Sequence, residues 1–262
     1  MSTLWRKLRW SVAQRGALVT ITAAFRALIR RPASQAKHHF DQRYGTDTSG
    51  LIGGGSLATG HPHDIYITAY AGIAPSRFEA ALDLWRATLA ARIEDYTFID
   101  LGCGKGRALL LASRHPFREV IGIELNPQLA AVALRNARLW RDLGETRSRI
   151  TIQVGDATQP ALPAGPVILF FYNAFAGPLV NQLANHLSRS ARDGPIDLIY
   201  QNAYFAGEFP AQLGFTELWR RCLPLSPEDA SADPVASPSD LTVLFRYDKR
   251  NDISYPITKI CV

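Results

Sequence analysis

The residues best suited to holding a ligand are the glycines of Asp100-Leu-Gly-Cys-Gly-Lys-Gly106. Glycine lets a backbone approach a ligand without a Cβ in the way. These glycines stand between a short apolar run, Thr97-Phe-Ile-Asp-Leu101, and a helical stretch near 106–114. A strand-to-helix turn of this kind is where open α/β sheets bind nucleotide-like ligands, and the free N–H groups of the helix start favour a carboxylate. Asp100 is expected to organise the loop or to meet an amino group of the ligand. Two commoner loops do not fit. Arg107 occupies the place of the third glycine in G-x-G-x-x-G, and G-x-x-x-x-G-K-[ST] is absent.

Two acids extend the pattern. Glu124 follows a predicted strand at 119–123, eighteen residues after Gly106. A carboxylate there can accept both hydroxyls of a ribose. Asp156, in Val154-Gly-Asp-Ala-Thr158, follows the predicted strand 150–154 and can accept a hydrogen bond from an adenine amino group. Each acid alone also reads as an ordinary strand end or turn residue. What carries weight is that the glycine loop, Glu124 and Asp156 occur in order, each just after a predicted strand.

In these motifs the chain resembles the class I methyltransferases that use S-adenosylmethionine (AdoMet). The resemblance spans residues 76–250. It implies a Rossmann-like, seven-stranded, mostly parallel α/β sheet with an antiparallel terminal strand and helices on both faces. It also implies AdoMet as cofactor, with Gly102, Gly104, Glu124 and Asp156 touching it. Asp100, Cys103, Gly106, Leu125 and Ala157 complete the expected cofactor-binding set. No residues have the spacing of a metal site; the His61-x-His63 pair has no third ligand placed to join it.

The acceptor side should follow the predicted strand 167–172, in Tyr172-Asn-Ala-Phe-Ala-Gly-Pro178. Adenine and glutamine N-methyltransferases carry Asn/Asp-Pro-Pro-Tyr/Phe at this point, and here both prolines are missing. The motif is more similar to that of the non-SET histone lysine methyltransferases. Related bacterial proteins of unassigned substrate resemble it further, through Tyr172-Asn-Ala-Phe175 and a Phe-Asp-x-x-Tyr-Gly-x-Asp-Thr-Ser-Gly segment like residues 40–50. The expected catalytic residues are Asn173, to orient an acceptor N–H, with Tyr172 and Phe175 packed around it; core packing is an equal reading of Phe175. Tyr70, Asp64, Tyr200 and Asn202 are weaker candidates. The implied reaction moves a methyl group to a nitrogen of a protein side chain or small molecule. Methylation of a nucleic-acid base and a non-catalytic AdoMet-binding role stand as alternatives, and Arg107 disfavours an NAD-dependent oxidoreductase.

The elements that must position these residues alternate. Strands are predicted at 97–101, 119–123, 150–154, 167–172 and 196–200, and helices at 106–114, 127–142 and 178–191. This pattern makes a parallel sheet covered on both faces. Two further strands, near 214–220 and 241–247, suit an antiparallel hairpin at one edge, and the Pro/Ser/Asp-rich run between them reads as a loop. A helix from Ser76, with Ser76 as N-cap, leads into the first strand. Residues 41–75 read as a lid or a linker, because the Gly/Ser/Thr/Asp-rich run 41–63 does not look like a core element.

Charge divides the chain. Residues 1–40 hold eight Lys/Arg and no acid, which leaves 21 basic against 23 acidic residues in the rest. The body therefore lacks the excess positive charge of a nucleic-acid groove, and nucleic acid is not an expected partner. The 1–40 arm carries apolar residues at helical spacing (Leu4, Leu8, Val12; Ile21, Phe25, Leu28, Ile29) between cations. A helical cap, peripheral membrane contact through residues 1–32 and an organelle presequence all remain open. Three unpatterned cysteines point to a reducing, cytoplasmic setting.

Overall fold

A computed structural model describes residues 37–190, 194–232, 237 and 239–248, together with the backbone of 258–259. The basic arm, up to residue 36, lies outside the described residues, and so do the three readings of it.

The sheet runs β3-β2-β1-β4-β5-β7-β6-β8. Five strands are parallel: β1 (Thr97–Leu101), β2 (Glu119–Glu124), β3 (Ile150–Val154), β4 (Val167–Tyr172) and β5 (Ile196–Gln201). β7 (Ser239–Tyr247) pairs antiparallel with both β5 and β6 (Phe215–Pro224). The expected hairpin is present, with its second strand inserted against β5. A two-residue β8 (Thr258–Lys259) pairs parallel with β6, one strand beyond the seven expected.

Strand alternation builds two cores. Phe98, Val120, Ile168, Phe170, Ile199 and Leu244 face one side, where α2 (Pro75–Leu89) and α3 (Arg107–Ala112) contribute Phe78, Leu82, Trp85 and Leu109–Leu111. Ile99, Leu101, Leu169, Phe171, Leu198 and Phe245 face the other side, against Leu179, Val180, Leu183 and Leu187 of α5 (Gly177–Arg189). The period-two pattern places alternate residues on opposite faces. The buried apolar strands β1, β4 and β5 read as continuous hydrophobic runs for this reason. α4 (Pro127–Asp142) starts where expected, with Pro127 in its first turn and Asn126 Oδ1 accepting the N–H groups of Gln128 and Leu129.

Three expectations are corrected. The N-cap of α2 is Ala74, not Ser76. The Ser76 hydroxyl and N–H both donate to Asp229 Oδ2, which binds α2 to residues far along the chain. That partner sits in α6 (Pro227–Ala232), a short helix inside the run that reads as a loop. Finally, residues 41–63 do contribute to the core. α1 (His39–Tyr44) crosses the expected boundary at residue 40, and Asp41, Thr46 and Thr48 are almost fully buried. Their polar side chains satisfy one another, which composition alone does not reveal.

Candidate active site

The order of strands reverses at β1, whose neighbours are β2 and β4, and the site lies at the carboxyl ends of these strands. Gly102, Gly104 and Gly106 all take positive φ (79°, 54° and 89°). A side chain at Gly102 would run into Ala174, and one at Gly104 into the Tyr70 ring. The loop is fixed to β2 by Gly102 and Cys103, whose N–H groups donate to Ile123 O at 2.9 and 3.0 Å.

Glu124 ends β2 and is nearly buried. Its Oε2 accepts Gly104 N–H at 2.8 Å and its Oε1 accepts Asn126 N–H at 2.8 Å. Burial raises its pKa against the pull of these backbone donors. Each oxygen keeps a second lone pair for a further donor. Asp100 is buried beside it, and burial together with the Glu124 charge pushes its carboxyl well above the ordinary range. Burial likewise raises the Cys103 thiol, which makes it inert. At the end of β3, Asp156 Oδ1 accepts from Thr158 N and Oγ1, at 2.9 and 2.8 Å.

These groups line one cavity of about 860 Å³ including its open mouth. Asp100, Gly102, Cys103, Gly104, Glu124, Leu125, Asp156 and Ala157 all contribute to its wall. Gly106 does not. It is the N-cap residue of α3, a helix of only six residues, so the anion-favouring dipole expected there is small.

The far wall comes from residues 57–73. Ile67 bridges antiparallel to Phe175, Thr68 N–H donates to Ala174 O at 3.1 Å, and Ala176 N–H donates to Tyr66 O at 3.0 Å. The segment therefore lies along the acceptor-side motif. Tyr172, Ala174 and Phe175 line the cavity, and the Phe175 ring also packs on Phe171, tilted by 35° with centroids 4.6 Å apart. Asn173 is not part of the wall. It takes φ 46°, and its Oδ1 faces the Tyr200 hydroxyl at 3.5 Å. Tyr70 lines the cavity with its ring, while its hydroxyl donates to Thr48 O at 2.7 Å. Asp64 braces the 59–64 turn by accepting the N–H groups of Thr59 and Gly60. Asn202 shares the left-handed backbone of Asn173 at the end of the neighbouring strand.

Sequence reasoning missed a polar clamp behind the glycine loop. Arg107 is 4 % exposed. Its guanidinium donates to Thr48 Oγ1 (2.7 Å), Ser49 Oγ (3.2 Å) and Ile73 O (3.3 Å) and lies 3.8 Å from Asp41 Oδ2. Asp41 in turn accepts from Thr46, Thr48 and Ser49. Lys105 Nζ reaches Asp47 Oδ1 and Ser49 O, both at 2.8 Å. Asn136 of α4 binds Asp47 through both N and O and also holds Lys105 O. The one sequence signal was the Phe40–Gly50 motif, whose Asp41, Thr46, Asp47, Thr48 and Ser49 build this clamp.

Among the described residues, His38, His39 and Asp229 come close enough to suggest a metal cluster. His38 Nδ1 accepts the Phe40 N–H at 3.1 Å, which leaves the ring proton on Nε2, the atom facing Asp229. A metal ligand would need the opposite tautomer, so the group reads as a helix cap.

Residues 99–205 match the family described as "Methyltransferase domain". No curated protein matches the sequence. Similar solved structures include a geranyl diphosphate C-methyltransferase from Streptomyces coelicolor A3(2), 18% identical over 65% of this chain and 79% of that one, with TM-score 0.44. Another is a putative class I S-adenosylmethionine-dependent methyltransferase from Listeria monocytogenes, 16% identical over 71% and 63%, with TM-score 0.46. The [4+2]-cyclase SpnF is 13% identical over 65% and 81%, with TM-score 0.45. Residues 99–205, under half of the chain, are thus similar to a methyltransferase domain of the kind that uses AdoMet.

Proposed function

We propose that the chain moves the AdoMet methyl group to a nitrogen of a protein side chain or a small molecule, and that the nitrogen arrives neutral. The observation that carries this reading is the chemistry of the cavity wall near Tyr172 and Phe175. The Tyr172–Phe175 motif gives the wall Tyr172, Ala174 and Phe175, with Ile67 and Thr68 paired along it, and none of these five side chains is a carboxylate or an imidazole. An acceptor there must bring its own lone pair. AdoMet supplies an activated methyl group on sulfur. The protein supplies placement and dryness.

In this reading Glu124 accepts the ribose hydroxyls with its two remaining lone pairs, and Asp156 Oδ2 takes the adenine amino group. The glycines Gly102, Gly104 and Gly106 let the chain pass close to the methionyl half, with Cys103, Leu125 and Ala157 in contact beside them. Asp100, desolvated and next to another carboxylate, gains a counter-charge from the cationic donor. Residues 41–75 act as a lid. Asn173, whose Oδ1 faces the Tyr200 hydroxyl outside the wall, orients the acceptor N–H once its amide turns toward the cavity beside Tyr172 and Phe175. Contact of residues 1–32 with a membrane and a cytoplasmic setting remain part of the proposal; among the described residues no helix is long and apolar enough to cross a membrane.

The test is transfer of a radiolabelled AdoMet methyl group into a cell extract separated into protein, nucleic acid and small molecules. Label is expected in protein or small molecules. Label confined to nucleic acid would reject the acceptor class.

A further inference from the structure

His63 is the lid residue with the least explained chemistry. Asp64 closes the turn that carries it, by accepting the N–H groups of Thr59 and Gly60 at 3.0 and 2.8 Å. His61 Nδ1 accepts the His63 N–H at 3.2 Å, and the two rings meet edge-on at 4.6 Å. The His63 ring is thus held in one place, with 17 % of its side chain exposed, on the wall of the cofactor cavity. Its Nδ1 is buried and makes no hydrogen bond. Across from it stands Asp156. Oδ1 is occupied by Thr158, and Oδ2 faces His63 Nδ1 at 3.5 Å. His63 Nδ1 and Asp156 Oδ2 therefore lie side by side on two residues of one cavity wall, with no hydrogen bond between them.

Resting on the donor-binding reading above, we propose that His63 is a cofactor-binding residue that recognises N7 of adenine. The 6-amino group donates to Asp156 Oδ2, and His63 Nδ1–H donates to the adjacent N7. Asp156 alone would accept any exocyclic amine. The pair requires an amine and a ring acceptor next to each other, which adenine presents on its imidazole side. A 6-oxo purine would set its oxygen against the carboxylate. The contact also links cofactor to lid, because His63 and Asp64 belong to the same turn.

The test is calorimetric titration of S-adenosylhomocysteine and its 7-deaza analogue, in which a C–H replaces N7. The wild-type chain is expected to bind the 7-deaza compound about tenfold more weakly, the worth of one buried hydrogen bond. His63→Phe keeps a ring on the wall without the donor. It should bind both compounds alike, near the wild-type affinity for the 7-deaza analogue, and His63→Ala should equally lose the preference. Equal binding of the two compounds by the wild-type chain overturns the proposal, as does a preference that persists in either variant. The wild-type comparison decides even where a variant fails to fold. Tight wild-type binding without discrimination refutes the His63 contact alone. Absence of binding to both compounds refutes the donor-binding reading beneath it.

Discussion

At the scale of single residues, Glu124 shows why a conservative change need not be mild. Both of its oxygens already accept a backbone N–H, from Gly104 and from Asn126. A glutamine would turn an NH₂ toward one of these donors and lose an acceptor for ribose. Glu124→Gln should therefore weaken AdoMet binding by on the order of tenfold or more, and Glu124→Ala should abolish it, as read by calorimetry. Asn173 poses a different question, because its left-handed backbone is itself a reason for asparagine. Glycine adopts that conformation freely but brings no amide. If Asn173 orients the acceptor, Asn173→Gly and Asn173→Ala should both lose turnover while AdoMet affinity is kept. Full activity in Asn173→Gly would reduce the residue to a turn former.

At the scale of elements, the clamp joins α1, the 46–50 segment, the glycine loop and α4. Asp41 is its centre. Burial would raise the Asp41 pKa, but the hydroxyls of Ser49, Thr46 and Thr48 and the Arg107 charge outweigh burial and hold it below the usual range. Asp41→Ala would leave four donors, from Thr46, Thr48 and Ser49, and a buried guanidinium without their acceptor. Breaking a buried pair in this way costs about 3–5 kcal/mol, or roughly 6–15 °C in melting temperature for a chain of this size. Scanning calorimetry checks this. Arg107→Lys cannot reproduce the fork that reaches Thr48, Ser49 and Ile73 together. The sequence showed little of this clamp. The strands were legible because hydrophobic burial imposes a period, and β1, β3 and β4 begin and end where that period says. The clamp is built from Asp, Thr, Ser and Gly, the same residues that make solvated loops. Only their mutual hydrogen bonds separate the two cases, and those depend on residues as distant as Asp41 and Arg107. That Asp100, Gly102, Glu124 and Asp156 share one cavity wall was legible for the opposite reason: each lies at or just after the end of a strand. His63 was not, because it reaches the cavity from the lid.

At the scale of the whole molecule, two buried groups oppose each other in their response to acid. His38 caps α1 and stays neutral: burial, then the Arg107 and His39 charges, lower its pKa to about 4, against the carboxylates of Asp229 and Asp41. The unfolded chain binds a proton at this histidine near its ordinary value of 6.5. Between those values the unfolded state holds more protons, so stability from His38 falls as the pH falls. Asp197 works the other way. It sits fully buried in β5, bound to Trp85 Nε1 of α2 at 2.9 Å and 3.0 Å from Arg246 Nε of β7. Burial pushes it up to about 6 from 3.8, despite the Arg246 charge and its hydrogen bonds to Trp85 and Tyr96. Between these values the folded state holds more protons, and stability from Asp197 rises as the pH falls. Asp100, Glu124 and Asp240 are shifted in the same direction as Asp197. Urea unfolding of the ligand-free protein from pH 7.5 toward pH 5 should therefore show stability held or increased. Asp197→Asn removes one acid-side gain and leaves His38 less opposed, so its stability should fall more steeply with acid than that of the wild type. His38→Asn keeps a side-chain oxygen for the Phe40 N–H and removes the opposing group, so its stability should rise more steeply. Parallel pH profiles for all three proteins would show that neither group governs the balance.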